Sequence, residues 1–216
     1  MITRILIALN VIGFLWEMHV AGPGVFTGNF PNHPTQIDDG LLVPYYVTHY
    51  HQYYRIFSAA FLHGSIFHIG LNMLSLYWLG RFIEVALRPF KMAFVYFISI
   101  VASGVCVVLF SPPEAGTLGA SGAIFGLFGA LFAIGLKLGS RGTDLVRSNI
   151  GILVLNLIWS FSVPGISWQA HVGGLIAGFI VTYAIYWPPK PVYASVVDAR
   201  SGQQYQSQLE TPDDRY

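Results

Sequence analysis

The stretch Gly119-Ala120-Ser121-Gly122-Ala123-Ile124-Phe125-Gly126 sets a hydroxyl at the start of an apolar helix and flanks it with glycines. The segment before it, Ser111-Pro112-Pro113-Glu114-Ala115-Gly116-Thr117-Leu118, is made largely of helix breakers. Ser121 therefore opens a helix rather than sitting inside one. A serine in that place is either an N-cap, which is its common role, or a nucleophile waiting for a base.

The solvent around this helix follows from composition. The chain has 216 residues, is 54% hydrophobic and carries only 10% charged residues, with mean hydropathy +0.58. Soluble domains carry roughly 25% charged residues, so this chain cannot clothe a globular surface and a lipid bilayer is the expected surrounding. A net charge of +1 gives no reason to expect nucleic acid. Cys106 is a single cysteine in an apolar run, so no intrachain disulfide can form.

Outward from Ser121, six apolar segments are expected to span: Ile5–Ala21, Ile66–Ile83, Met92–Phe110, Ser121–Leu136, Ile150–Val163 and Ala170–Trp187. Each is near the ~20 residues a spanning helix needs. The first could instead be a signal peptide, since Met1-Ile2-Thr3-Arg4 precedes its apolar run. Glu17 and His19 follow without a small-x-small cleavage pattern, which favours a retained span. The cations set the orientation. With both termini cytoplasmic, ten of the 11 Lys and Arg residues lie on the inner side and only Arg55 lies outside. The expected fold is thus an all-α membrane protein with six transmembrane helices over residues 1–187. A polar cytoplasmic tail, 188–216, holds Pro188, Pro189 and Pro191 and reads as disordered.

This topology gathers the polar residues at one depth. Ser121 begins helix four, His171 begins helix six, and His63, His68 and Asn72 begin helix two, all at the outer face. From Ser121 to Leu136 the fourth helix is about 24 Å long at 1.5 Å per residue, against a hydrocarbon core of about 30 Å. Ser121 then sits below the outer surface. The loop before it must dip into the membrane, walled by protein or facing a water-filled cavity. Gly122 and Gly126, and likewise Gly174 and Gly178, form small-xxx-small faces that let helices approach closely. Packing those two faces together brings Ser121 beside His171. The same glycines also suit ordinary helix packing.

A serine hydroxyl attacks only when a base takes its proton, and neutral imidazole is that base. His171 is otherwise a helix start facing water. His68 and Asn72 are four apart on one helical face and can donate to an oxyanion together with the Ser121 backbone N–H. His63 precedes the expected cap Ser65 and belongs to the incoming loop. Asn72 could instead make a polar interhelical contact. A metal site in these histidines is disfavoured, because no His-Glu-x-x-His occurs and no carboxylate is near them in sequence. No acidic residue is placed to orient His171, so the expectation is a Ser–His dyad with no metal and no cofactor.

His63-x4-His68-x3-Asn72, Gly119-Ala120-Ser121-Gly122 and Ala170-His171-Val172-Gly173-Gly174 with Gly178 fall in order on helices two, four and six. In this the chain resembles the rhomboid family of intramembrane serine proteases over residues 1–187. The resemblance implies Ser121 as nucleophile, His171 as base, and His68 with Asn72 as oxyanion donors. It sets Phe125 at an aromatic position that stacks on the catalytic histidine. Tyr54-Arg55 stands where many members have Trp-Arg in the first loop, here Gly22–Tyr54. Pro164–Gln169 would cap the site, with helix five a candidate lateral gate. Substrates would be transmembrane proteins with small residues at the cut and an easily unwound helix, cleaved near the outer face. The expected location is a bacterial plasma membrane; oligomeric state is not readable. Two rivals remain: a pseudoprotease that only binds membrane proteins, and a transporter or haem-binding span set using His63, His68 and His171.

Overall fold

The computed structural model describes residues 1–26, 35–190, 192–197 and 204–209. Residues 27–34 of the expected first loop, and 191, 198–203 and 210–216 of the expected tail, lie outside the described residues. Met1–Tyr186 form one unit and Trp187–Tyr216 a second.

The helices run in order α1 Ile2–Ala21, α2 Thr35–Asp38, α3 Pro44–Tyr50, α4 Arg55–Ser58, α5 Ile66–Leu87, α6 Pro89–Phe110, α7 Ser121–Leu138, α8 Thr143–Ser162 and α9 Trp168–Ile185. The fold is nearly all helical, and the six apolar segments correspond to α1, α5, α6, α7, α8 and α9. Four helical stretches are long and apolar enough to cross a membrane, and the pair Arg55–Phe61 with Ile66–Leu87, bent by 94°, makes a fifth. One of the four, Ser121–Ser162, contains both α7 and α8. These two helices run back along each other. A Cβ on Gly135 of α7 would meet Val146 near the start of α8 at 2.5 Å. At the other end, Ser160 of α8 reaches the residues around Ser121.

Two features depart furthest from the sequence expectation. α8 begins at Thr143, seven residues before the expected apolar segment, because its first turns carry Asp144 and Arg147. Helix continues there although apolarity does not, and the apolar pattern marks only the second. The segment expected to be a disordered tail contains an antiparallel hairpin, β1 Val192–Val197 with β2 Gln204–Leu209, in register Val192↔Leu209 to Val197↔Gln204. Val192, Tyr193, Val196, Val197 and Tyr205 are residue types enriched in strands, a signal the prolines and polar composition of the tail masked.

The core lies along α7. Leu127, Ala130, Ala133 and Ile134 are almost wholly enclosed, and α7 buries most of its length from Gly122 to Gly135. It is therefore the central helix, wrapped by α5, α6, α8 and α9. A buried carboxylate ties α1 to α5: Glu84 accepts from Ile2 N at 2.6 Å, Thr3 N at 3.0 Å and Thr3 Oγ1 at 2.7 Å. Such a group in an apolar setting persists only when its oxygens are satisfied.

The breaker segment before Ser121 is satisfied by the first loop. Leu42 and Thr117 exchange backbone hydrogen bonds at 3.0 and 2.9 Å, Tyr45 N donates to Pro113 O, and Gly119 N donates to Ala59 O at 2.8 Å. The non-helical backbone of this segment thus finds its hydrogen-bond partners within the protein. Arg55 holds this wall. Its Nη1 donates to Asp38 O and to Leu41 O, its Nε donates to Gln52 Oε1 at 2.6 Å, and its guanidinium lies 4.6 Å from the Tyr46 ring centre. The Tyr54 ring, at the position where many relatives carry Trp, lies farther off at 5.6 Å. Arg55→Ala is expected to cost about 1.5–3 kcal/mol, the range for hydrogen bonds to a charged group. Thermal unfolding in detergent will show it as a lowered midpoint.

Candidate active site

Ser121 is the first residue of α7, after Ala120 as N-cap, and no side chain caps that helix. Its hydroxyl is therefore free of the capping role open to it in the sequence. Gly119 makes the approach: its φ of 117° is a conformation that L side chains rarely adopt. A Cβ there would also stand 2.7 Å from the His68 ring and 3.8 Å from Ser121 Oγ. One backbone position thus requires glycine for two reasons, and it sets His68 and Ser121 around the same point.

His171 lies in the first turn of α9, whose N-cap is Ser167, accepting from Ala170 N at 3.3 Å. The imidazole Nε2 is 2.8 Å from Ser121 Oγ. What closes this distance across 50 residues of sequence is glycine. A Cβ on Gly174 would overlap the Gly122 carbonyl, and one on Gly178 would overlap the Gly126 carbonyl. The two glycine pairs expected to face each other do so, with α7 and α9 in backbone contact. α6 closes the third side. Ser103 Oγ donates to Ala170 O at 2.8 Å, and a Cβ on Gly122 would meet Ser103 Oγ at 2.5 Å. The sequence reading overlooked this third helix, because Ser99 and Ser103 matter only once Gly126 and Gly122 are seen beneath them.

The Phe125 ring stacks on His171 at 4.1 Å between centres and 8° between planes. On the opposite side, Ser65 caps α5 by accepting from His68 N at 3.2 Å, and His63 lies in the incoming loop, wholly buried. The His63 and His68 rings meet edge to face at 5.1 Å. Asn72 Nδ2 donates one proton to His68 O at 3.0 Å, which leaves a second for the cavity. His68, Asn72, Ser121 and His171 line one cavity of about 430 Å³, together with Gly104, Gly122 and Phe125 and with Asn156 and Trp159 of α8. Gly165, Ile166 and Ser167 of the segment Pro164–Gln169 also line it.

Two residues that the sequence reading missed also belong here. Glu17 of α1 accepts from the His63 backbone N–H at 2.6 Å and is itself wholly buried. Ser160 of α8 sits 2.7 Å from His171 Nδ1. Neither belongs to a recognisable motif, and only the fold brings them in. Among the described residues, no group of three or more His, Cys, Asp or Glu side chains is arranged to hold a metal ion.

Comparison with known proteins places this arrangement. A family profile described as the Rhomboid domain matches residues 50–188. The chain is 32% identical over 139 residues to the rhomboid protease GluP of Bacillus subtilis, covering 63% of this chain and 27% of that protein. It is 31% identical over 153 residues to RHOMBOID-like protein 1 of Arabidopsis thaliana, covering 68% of this chain and 38% of that protein. It is 34% identical over 149 residues to the rhomboid protease GlpG of Yersinia pestis, covering 66% of this chain and 52% of that protein. The chain thus spans between about a quarter and a half of the length of these relatives. It is an integral membrane protein with apolar spanning helices, and it belongs to the rhomboid family.

Proposed function

We propose that this protein is an intramembrane serine endopeptidase that cleaves transmembrane proteins near the outer membrane face through a Ser121–His171 dyad. The observation that carries the reading is the 2.8 Å contact between Ser121 Oγ and His171 Nε2, with the relatives named as rhomboid proteases in support. The Ser121 proton passes to Nε2 as Oγ bonds the scissile carbonyl carbon. The oxyanion is held by His68, by Asn72 and by the Ser121 N–H, which at the helix start has no intrahelical acceptor. His171 then returns the proton to the leaving amine as the C–N bond breaks, giving an acyl-enzyme. A water deprotonated by the same nitrogen cleaves the ester and restores Ser121. Neither a metal nor a cofactor takes part.

Six spans with both termini cytoplasmic agree with the distribution of cations and with the antiparallel course of α7 and α8. A bacterial plasma membrane is the proposed location. The test is cleavage in proteoliposomes of single-span substrates with small residues near their outer end. The expected result is a peptide-bond cut inside the span that persists in a chelator. No cut in any such substrate, or a cut abolished by the chelator, overturns the reading. Asn72→Ala in the same assay is expected to lower turnover by about 10–1000-fold with thermal stability largely kept; an unchanged rate removes Asn72 from the mechanism.

A further inference from the structure

The proton on the His171 ring can be located from its neighbours. Ser160 Oγ lies 2.6 Å from the Asn156 carbonyl oxygen and 2.7 Å from His171 Nδ1. A carbonyl oxygen only accepts, and a serine hydroxyl has one proton. That proton goes to Asn156 O, so Ser160 Oγ faces Nδ1 as an acceptor. Nδ1 must then carry the ring hydrogen, and Nε2 presents its lone pair to Ser121 Oγ. This is the tautomer that can take the serine proton. No carboxylate is bonded to the ring among the described residues, and a hydroxyl polarised by a helix carbonyl stands in that place. Ser160 is buried, and with Leu153 it is what α8 buries. The rest of that helix turns Leu155, Ile158, Trp159 and Phe161 outward.

We propose that Ser160 is a positioning residue: it holds His171 in the tautomer with Nδ1 protonated and ties α8 to the base. The inference rests on the dyad read above.

The experiment compares wild type, Ser160→Ala, Ser160→Cys and Ser160→Asp in detergent, by the rate of fluorophosphonate labelling and by kcat and KM on a single-span substrate. An orienting partner that enforces the opposite tautomer costs about 10⁴-fold in a serine-protease triad; a lost acceptor leaves the tautomers mixed, so a drop of about 10–100-fold is expected. Ser160→Ala and Ser160→Cys are expected to lose that much in labelling rate and kcat with KM unchanged. Ser160→Asp, which accepts from Nδ1 more strongly, is expected to exceed both. If Ser160 only fills space, Ala is the mildest change and the buried carboxylate the worst; that order overturns the proposal. Should the Asp variant not fold, by thermal unfolding, Ser160→Thr replaces it: a folded Thr variant no faster than Ala also overturns the proposal. Labelling of Ser160→Ala at the wild-type rate overturns the role of Ser160 and leaves the dyad intact, whereas an unlabelled wild type overturns the dyad and this inference with it.

Discussion

Ser121→Ala is expected to depress turnover of a single-span substrate by at least about 10³-fold, His171→Ala by nearly as much, and the double variant no further than the worse single one. Nucleophile and base act as one unit, so removing either removes the step. The structural basis is that each has the other at hand: Oγ and Nε2 are 2.8 Å apart, and His171 is fixed behind by the Phe125 ring. What activity survives is expected to come from binding and from His68 and Asn72, the proposed oxyanion donors, which both variants keep. Thermal unfolding of Ser121→Ala is expected to stay close to wild type, since Ser121 caps nothing and removing its hydroxyl leaves α7 unchanged. Independent effects that multiply in the double variant would contradict a dyad.

The second large effect is on the fold. Gly178→Val is expected to destabilise the protein by about 3 kcal/mol or more and to abolish activity with it. A Cβ at Gly178 would overlap the carbonyl and Cα of Gly126, which are backbone and cannot turn aside. A Cβ at Gly174 would likewise overlap the Gly122 carbonyl. α9 would have to move off α7, and His171 sits on the end of α9 that must stay against Ser121. Gly151→Ala is the matched control. A Cβ at that position would have no atom within 4 Å, and Gly151 lies exposed on α8. The change is expected to be neutral or to stabilise by about 0.5–1 kcal/mol, through reduced backbone freedom. Thermal midpoints in one detergent, with activity measured after cooling, compare both variants with wild type. Equal tolerance at Gly178 and Gly151 would mean that α7 and α9 are not in backbone contact.

Much of this was legible in the residues alone. Small-xxx-small spacing at Gly122/Gly126 and Gly174/Gly178 describes a surface, and two such surfaces in a bilayer have a reason to meet. Ser65 before Ile66-Phe67-His68 is a local capping signal, and the bond from His68 N needs no tertiary contact to form. Breakers before Ser121 announced an irregular segment, and α7 at 18 residues is roughly 27 Å long, short of the hydrocarbon core of about 30 Å.

What could not be read is of another kind. Ser160 lies between Trp159 and Phe161 in an apolar run and resembles any serine that bonds its own helix, which it also does. Its second partner is 11 residues away across a turn. In the sequence Glu17 speaks only against a signal peptide, because nothing in α1 says that it will meet the His63 backbone 46 residues later. The break of 94° between Arg55–Phe61 and α5 is likewise set by tertiary bonds, with Arg55 gripping the first loop on one side and Ala59 accepting from Gly119 on the other.

The most direct measurement is to treat the detergent-solubilised protein with a fluorophosphonate and locate the adduct by mass spectrometry. The predicted result is a single phosphonyl group on Ser121, absent from Ser121→Ala and nearly absent from His171→Ala. An adduct on another residue, or one formed equally well in either variant, would contradict the account.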